Sequence, residues 1–300
     1  MKYTEETLKS WTAPLSVTEE QRSENTIDMV RSAIDHNDKL KKMNIETFVQ
    51  GSFANNTNVR AESDVDVCVM LKDVFHTKLP KDAKDADYGF TDASLTFPQY
   101  RDLVKKALQD KFKTENIKDG NKSIKIDENT YHVKADVVPA FLLRNYYYSN
   151  SKNPNDYVEG TWILPKTGAD IANYPKIHIK NGKKKNNETN GEYKKLVRIM
   201  KHIKNNMVED NVTDGNIISS FLVECLVWNI PNQKITSYST WTDTVREAIR
   251  YLYTEIDEGR HKEWGEVSEI LYLFINRKWT DLDAKQWLVD AWNYLGCANQ

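Results

Sequence analysis

The stretch from Gly51 to Leu71 limits this chain most. It reads Gly51-Ser52-Phe53-Ala54-Asn55-Asn56-Thr57-Asn58-Val59-Arg60, followed by Ser63-Asp64-Val65-Asp66-Val67-Cys68-Val69-Met70-Leu71. Alternation predicts a strand over 64–71, with Val65, Val67, Val69 and Leu71 on one face and Asp64, Asp66, Cys68 and Met70 on the other. The two-residue period sets Asp64 and Asp66 side by side. Carboxylates that close repel unless both are solvated or a cation lies between them, and hard oxygen ligands favour Mg²⁺, with Mn²⁺ as a substitute. Upstream, Ile45-Glu46-Thr47-Phe48-Val49-Gln50 reads as a strand ending at Gly51. Gly51 permits a tight turn and close backbone approach, and Ser52 offers an N–H and a hydroxyl to a phosphate.

A two-ion site needs a third acid. Tyr131-His132-Val133-Lys134-Ala135-Asp136-Val137-Val138-Pro139-Ala140-Phe141 is a second strand pattern, in which Asp136 lies opposite Val133, Ala135 and Val137. Two ions a few Å apart activate an attacking hydroxyl and stabilise a leaving pyrophosphate in line. Singly, an Asp-x-Asp pair is usually a solvated face and a Gly-Ser a turn; the combination is what points to phosphoryl chemistry.

The sequence holds 42 basic and 44 acidic residues among 300, a net charge of −2. Any polyanion site is therefore local. Cys68, Cys225 and Cys297 show no paired spacing, which fits a reducing compartment and no zinc site. No run of about eighteen apolar residues appears. These features predict a soluble cytoplasmic protein with no membrane partner, a monomer by default.

Along the chain, Thr18 with Gln21 suggests a capping box opening an amphipathic helix over 18–42. A polar loop is expected over 72–96, a helix from Pro98 to Phe112, a hairpin of strands at 121–127 and 131–139, and a strand near 157–165. Residues 166–192, with Gly168, Gly182, Gly191 and the run Lys183-Lys184-Lys185, read as irregular; the lysines are either a solvated tip or substrate-facing. Helices follow at about 191–209, 215–229, 241–257, 266–275 and 283–295, the first with a basic stripe of Lys194, Arg198, Lys201 and Lys204. The fold class is thus α/β (α+β): a mixed-sheet catalytic lobe over residues 1–165 and a helical nucleotide-binding lobe over 166–300, with a cleft between them.

Gly51-Ser52, an eleven-residue polar spacer, Asp64-x-Asp66 and the distant Asp136 resemble the polymerase-β-like nucleotidyltransferase superfamily. Within it, Gly51 to Asn58, with Asn181-Gly182, Lys185-Asn186 and Thr189-Asn190-Gly191, resembles the bacterial cGAS/DncV-like nucleotidyltransferases, clade E, over roughly residues 15–295. The resemblance implies synthesis of a cyclic di- or trinucleotide messenger from ribonucleoside triphosphates in anti-phage (CBASS) signalling. It also implies two Mg²⁺ ions held by Asp64, Asp66 and Asp136, a long N-terminal helix bracing both lobes, and a downstream effector that senses the nucleotide. The zinc insertion by which animal cGAS enzymes grip DNA is missing, so no activation by long duplex DNA is expected.

In that family a Lys on one helix and a Ser-Tyr opening the next bind the donor triphosphate and stack its base. Lys201, Ser220 and Phe221 fall on that pattern, with Ser219 before them and Phe in place of Tyr, which keeps the stacking face and removes a hydroxyl. Phe221 is otherwise a core residue. Asn173 suits uracil or adenine and Glu224 suits guanine, so ATP, UTP and GTP remain open; the plain readings are a turn residue before Pro175 and a helix-surface acid. Arg60 can touch a phosphate or a base. Alternative readings are an enzyme that adds nucleotides to RNA or a small acceptor, and a silent nucleotide sensor that has lost an acid.

Overall fold

The computed structural model describes residues 1–59, 64–147 and 153–297. Arg60 lies outside them. The helices are α1 (Glu5–Ser10), α2 (Val17–Asp35), α3 (Gly51–Asn55), α4 (Phe97–Phe112), α5 (Pro175–Glu188), α6 (Glu192–Glu209), α7 (Ser220–Trp228), α8 (Asn232–Thr236), α9 (Trp241–Asp257) and α10 (Asp281–Tyr294). The strands are β1 (Ile45–Gln50), β2 (Val65–Lys78), β3 (Ile117–Asp119), β4 (Ile124–Ile126), β5 (Ala135–Asn145), β6 (Val158–Ile163) and β7 (Ile171–Asn173).

Packing separates two units. Ser16–Ala54 with Ser63–Lys176 form one; Met1–Leu15, Asn55–Glu62 and Ile177–Gln300 form the other. By packing, then, residues 166–176 go with the sheet, and 1–15 and 55–62 with the helices.

The first unit is a mixed seven-stranded sheet in the order β1-β2-β5-β4-β3, with β6 on β5 and β7 on β6. β2 and β5 run parallel and every other pair antiparallel. Val65, Val67 and Val69 lie beside Ala135, Val137 and Pro139 on one face of the β2/β5 pair, and Leu71 beside Phe141. That face receives α4: the Phe97 and Tyr100 rings lie 5.2 and 5.6 Å from Phe141. The opposite face is the one that carries Asp66 and Asp136.

Several boundaries differ from those read in the sequence. The strand expected over 64–71 begins at Val65 and runs on through a register shift to Lys78, so Asp64 precedes it and the expected loop starts later. The hairpin is narrower, Ile126 pairing with Ala135, and β3 adds a strand that no alternation marked. The cap of α2 is Ser16 with Glu19, not Thr18 with Gln21: the Ser16 N–H donates to Glu19 Oε2 at 3.0 Å, and the Glu19 N–H returns to Ser16 Oγ at 3.4 Å. The helix stops at Asp35 because the Asn37 side chain accepts the Lys39 and Leu40 N–H groups in a new turn.

The second unit is helical around one core that includes Leu8, Leu196, Met200, Ile203, Leu226, Leu252, Trp287 and Leu288. Three stretches depart from expectation. Residues 175–188 form α5 rather than an irregular link; Pro175 opens it, and Gly182 sits where an added Cβ would lie 3.7 Å from Asn55 Oδ1, so this glycine serves packing. Residues 266–275 are a compact non-helical segment, because Glu269 takes a left-handed φ of 58° and Glu266 N–H bonds to Leu271 O. The helix expected from 215 starts at Ser220, with Ser219 as its cap. At the N-terminus, Glu5 of α1 accepts the Trp241 and Thr242 N–H groups at 2.7 and 2.9 Å, capping α9 from a distant part of the chain.

Candidate active site

Parallel pairing of β2 with β5 brings Asp66 and Asp136 into direct register, so both carboxylates leave one sheet face from adjacent strands. Asp64 stands exposed just before β2. Although it reaches solvent, partial desolvation raises its carboxyl above the usual range and the Asp136 charge raises it further, with Lys134 and Lys125 opposing. Two like charges in mutual repulsion beside a third acid form a donor set suited to a hard divalent cation. Among the described residues, however, no three His, Cys, Asp or Glu side chains already converge as a ready cage.

Gly51 adjoins this group. Its φ is +69°, and an added Cβ would fall 2.1 Å from Asp66 Oδ2. The turn after β1 therefore lies directly against the acid, an approach only glycine permits. Ser52 follows in the first turn of α3, half-buried. Asn173 ends β7, partnered in the sheet by Thr161, and is half-buried.

In the helical unit the basic stripe of α6 faces inward: Lys194, Arg198, Lys201 and Lys204 are all buried. Arg198 donates to the carbonyls of Thr12 at 2.9 Å and of Asn56. Lys201, 1% exposed, is thus not a solvent-facing cation. Its Nζ lies 2.9 Å from Glu224 Oε2 and 3.2 Å from Thr57 Oγ1. Nor is Glu224 a helix-surface acid. It is 4% exposed, and its oxygens also accept from Thr57 Oγ1 at 2.9 Å and from His178 Nε2 at 3.0 Å. Burial alone would push the Glu224 carboxyl up; Lys201 and His178 outweigh it and hold the group far below the usual range.

Above this network, Ser219 Oγ accepts the Leu222 N–H at 3.2 Å, Ser220 opens α7 and the Phe221 ring is 38% exposed. Phe221 is therefore a surface ring, not core. Sequence reasoning missed His178 and Thr57. Thr57 carried no signal inside the polar spacer. His178 lay in the stretch read as irregular, and the helical spacing from Pro175 onward was the only available cue.

The chain matches the family described as nucleotidyltransferase domain over residues 28–154, and the cGAS/DncV-like nucleotidyltransferase C-terminal helical domain over residues 180–296. It is 46% identical to the cyclic dipyrimidine nucleotide synthase CdnE of Cecembia lonarensis, covering 98% of this chain and 99% of that protein. It is 37% identical to the cyclic dipyrimidine nucleotide synthase CdnE of Legionella pneumophila, covering 97% of each. Among solved structures, the Rhodothermus marinus CdnE c-UMP-AMP synthase with Apcpp and Upnpp superposes with a TM-score of 0.86 at 28% identity, over 99% of this chain and 98% of that one.

Proposed function

Because this chain belongs to the bacterial cGAS/DncV-like nucleotidyltransferases, in clade E, and is a nucleotidyltransferase, we propose that it joins ribonucleoside triphosphates into a cyclic dinucleotide containing pyrimidines. The observation that carries the transfer chemistry is the register of Asp66 with Asp136 on parallel strands, with Asp64 coupled to the same charge. The pyrimidine assignment draws on the names of the two relatives quoted above. It is strengthened by Glu224: both carboxylate oxygens are already taken, which removes the group best suited to the N–H edge of guanine. Asn173, which suits uracil or adenine, is left as the candidate base reader.

Transfer is assigned to residues 1–165 and nucleotide recognition to 166–300. Asp64, Asp66 and Asp136 would hold the divalent ions, Mg²⁺ or Mn²⁺. Bound there, the metal supplies charge neutralisation of the phosphates and activation of a hydroxyl. The Gly51 turn and Ser52 take up phosphate oxygens of the donor, and Ser219, Ser220 and Phe221 hold its triphosphate and base. Lys201 acts from beneath, neutralising Glu224 and fixing Thr57. A 3′ or 2′ hydroxyl of the acceptor attacks the donor α-phosphorus, its proton leaves to solvent or a carboxylate, and pyrophosphate departs. A second such transfer within the linear product closes the ring. The product's destination is a nucleotide-sensing effector in anti-phage (CBASS) defence.

The test is incubation of the purified protein with Mg²⁺ and all four ribonucleoside triphosphates, followed by phosphatase digestion and mass analysis. A resistant product with two pyrimidines is expected. A purely purine ring would overturn the base assignment, and linear chains alone would favour nucleotide addition to RNA. No product with either Mg²⁺ or Mn²⁺ would favour a silent sensor.

A further inference from the structure

Phe221, the second residue of α7, is 38% exposed, and two aromatic neighbours pack on its ring: His178 at 5.9 Å, tilted 37°, and Trp279 at 6.2 Å, tilted 46°. His178 comes from α5 and is 9% exposed. A buried imidazole needs a partner for its polar edge, and this one lies 3.0 Å from Glu224 Oε1. A carboxylate only accepts, so Nε2 carries the hydrogen, and the ring cannot turn over without losing that bond.

Glu224 follows Phe221 by three residues, so the two side chains share a face of α7. His178 spans both, packing on one and bonding to the other. The anchor is itself held, since Lys201 and Thr57 each bond to Glu224 Oε2 at 2.9 Å. A partly exposed aromatic ring packed beside an imidazole that a buried charge holds in place suits a flat ligand, because the neighbour resists displacement of the ring when it is loaded.

We propose that His178 is a positioning residue for the nucleobase: tied to buried Glu224, it holds Phe221 in the orientation in which that ring stacks on a base. The inference rests on the proposed function only so far as the site binds a nucleoside triphosphate; it does not depend on ring closure. An ordinary core histidine would affect stability alone. A positioning residue affects ligand affinity, and only while Phe221 is present.

The experiment is a double-mutant cycle read by binding. Wild type, His178→Gln, Phe221→Leu and the double variant are titrated with a non-hydrolysable UTP analogue, by quenching of tryptophan fluorescence and by calorimetry. Gln keeps an N–H donor for Glu224 and removes the imidazole, so the variant retains its fold. His178→Gln is expected to weaken analogue binding about three- to tenfold, the worth of one aromatic contact. The double variant should bind no more weakly than Phe221→Leu alone. Unchanged affinity in His178→Gln, or losses that simply add, overturns the assignment. If His178→Gln melts early, the titration is run well below its transition, where the folded fraction is complete and the same outcomes apply. A wild type that binds the analogue yet makes no cyclic product would refute the proposed function while leaving this test intact.

Discussion

Replacing Glu224 with Gln gives the sharpest test of the buried network. The carboxylate is 4% exposed and its lysine partner 1%, so the change leaves the Lys201 ammonium in the interior without its counter-charge. It also turns an amide NH₂ toward a donor on at least one side, since Lys201 and His178 address different oxygens. Breaking one partner of a buried pair costs about 3–5 kcal/mol, a large share of the roughly 5–15 kcal/mol that holds a typical protein folded. At about 2–4 °C per kcal/mol, the melting temperature should fall by roughly 6–20 °C. The assay is scanning calorimetry of wild type, Glu224→Gln, Lys201→Met and the apolar double variant Lys201→Met with Glu224→Leu. The double variant should be more stable than the sum of the single losses by about 2 kcal/mol or more, since it removes both charges together. A Glu224→Gln protein within about 0.5 kcal/mol of wild type, the range of ordinary surface changes, would refute the pairing and return the carboxylate to the list of base readers.

Other outcomes follow from the same geometry. Asp64→Asn with Asp66→Asn should abolish product in a folded protein; undiminished synthesis would exclude the acids from catalysis. Since Asp64 ionises at higher pH than usual, its charged form opposes folding at neutral pH, so Asp64→Asn alone should melt no lower than wild type and somewhat higher. Gly51→Ala places a methyl group against Asp66 in a left-handed turn, at about 1–2 kcal/mol of backbone strain, and should cut product formation steeply while circular dichroism stays native. Burial lowers the Lys185 ammonium to about 8. Its folded form therefore sheds its proton before the unfolded form does, and stability rises with pH from about 8 to 10.5. The stability of Lys185→Met relative to wild type should accordingly fall across that window in pH-dependent denaturation.

Legibility varied with how local each determinant was. The Asp64 and Asp66 pattern is a property of the chain itself, and the partner strand around Asp136 announced itself by its apolar run; their pairing in register followed. The helices with strong apolar periodicity, α4, α6, α9 and α10, were likewise readable. α5 was not, because Gly182 and Lys185 look like loop residues until Gly182 is seen as a packing site and Lys185 as a buried donor to Ile230 O at 2.7 Å. The stripe on α6 was legible as a stripe, but its surroundings were not. Charge on one helix face suggests solvent, but here the 55–59 segment and Thr12 supply carbonyl and hydroxyl partners from far along the chain. The buried network built on Glu224 draws on α5, α6, α7 and Thr57, so no window of sequence contains it.

The cap that Glu5 places on α9 spans 236 residues, and this sets an order of events during synthesis. At about 5–20 residues per second, Trp241 is made roughly 10–50 s after Glu5. Throughout that interval α1 is a six-residue helix without its contact to α9, too short to persist in water by itself. The sheet unit has all its strands once Lys176 has been made, whereas the helical unit must keep its first fifteen residues waiting for its last helices. A slow step in maturation should therefore lie in the return of the N-terminus, and a fusion partner at Met1 would act on that step before it acted on anything else.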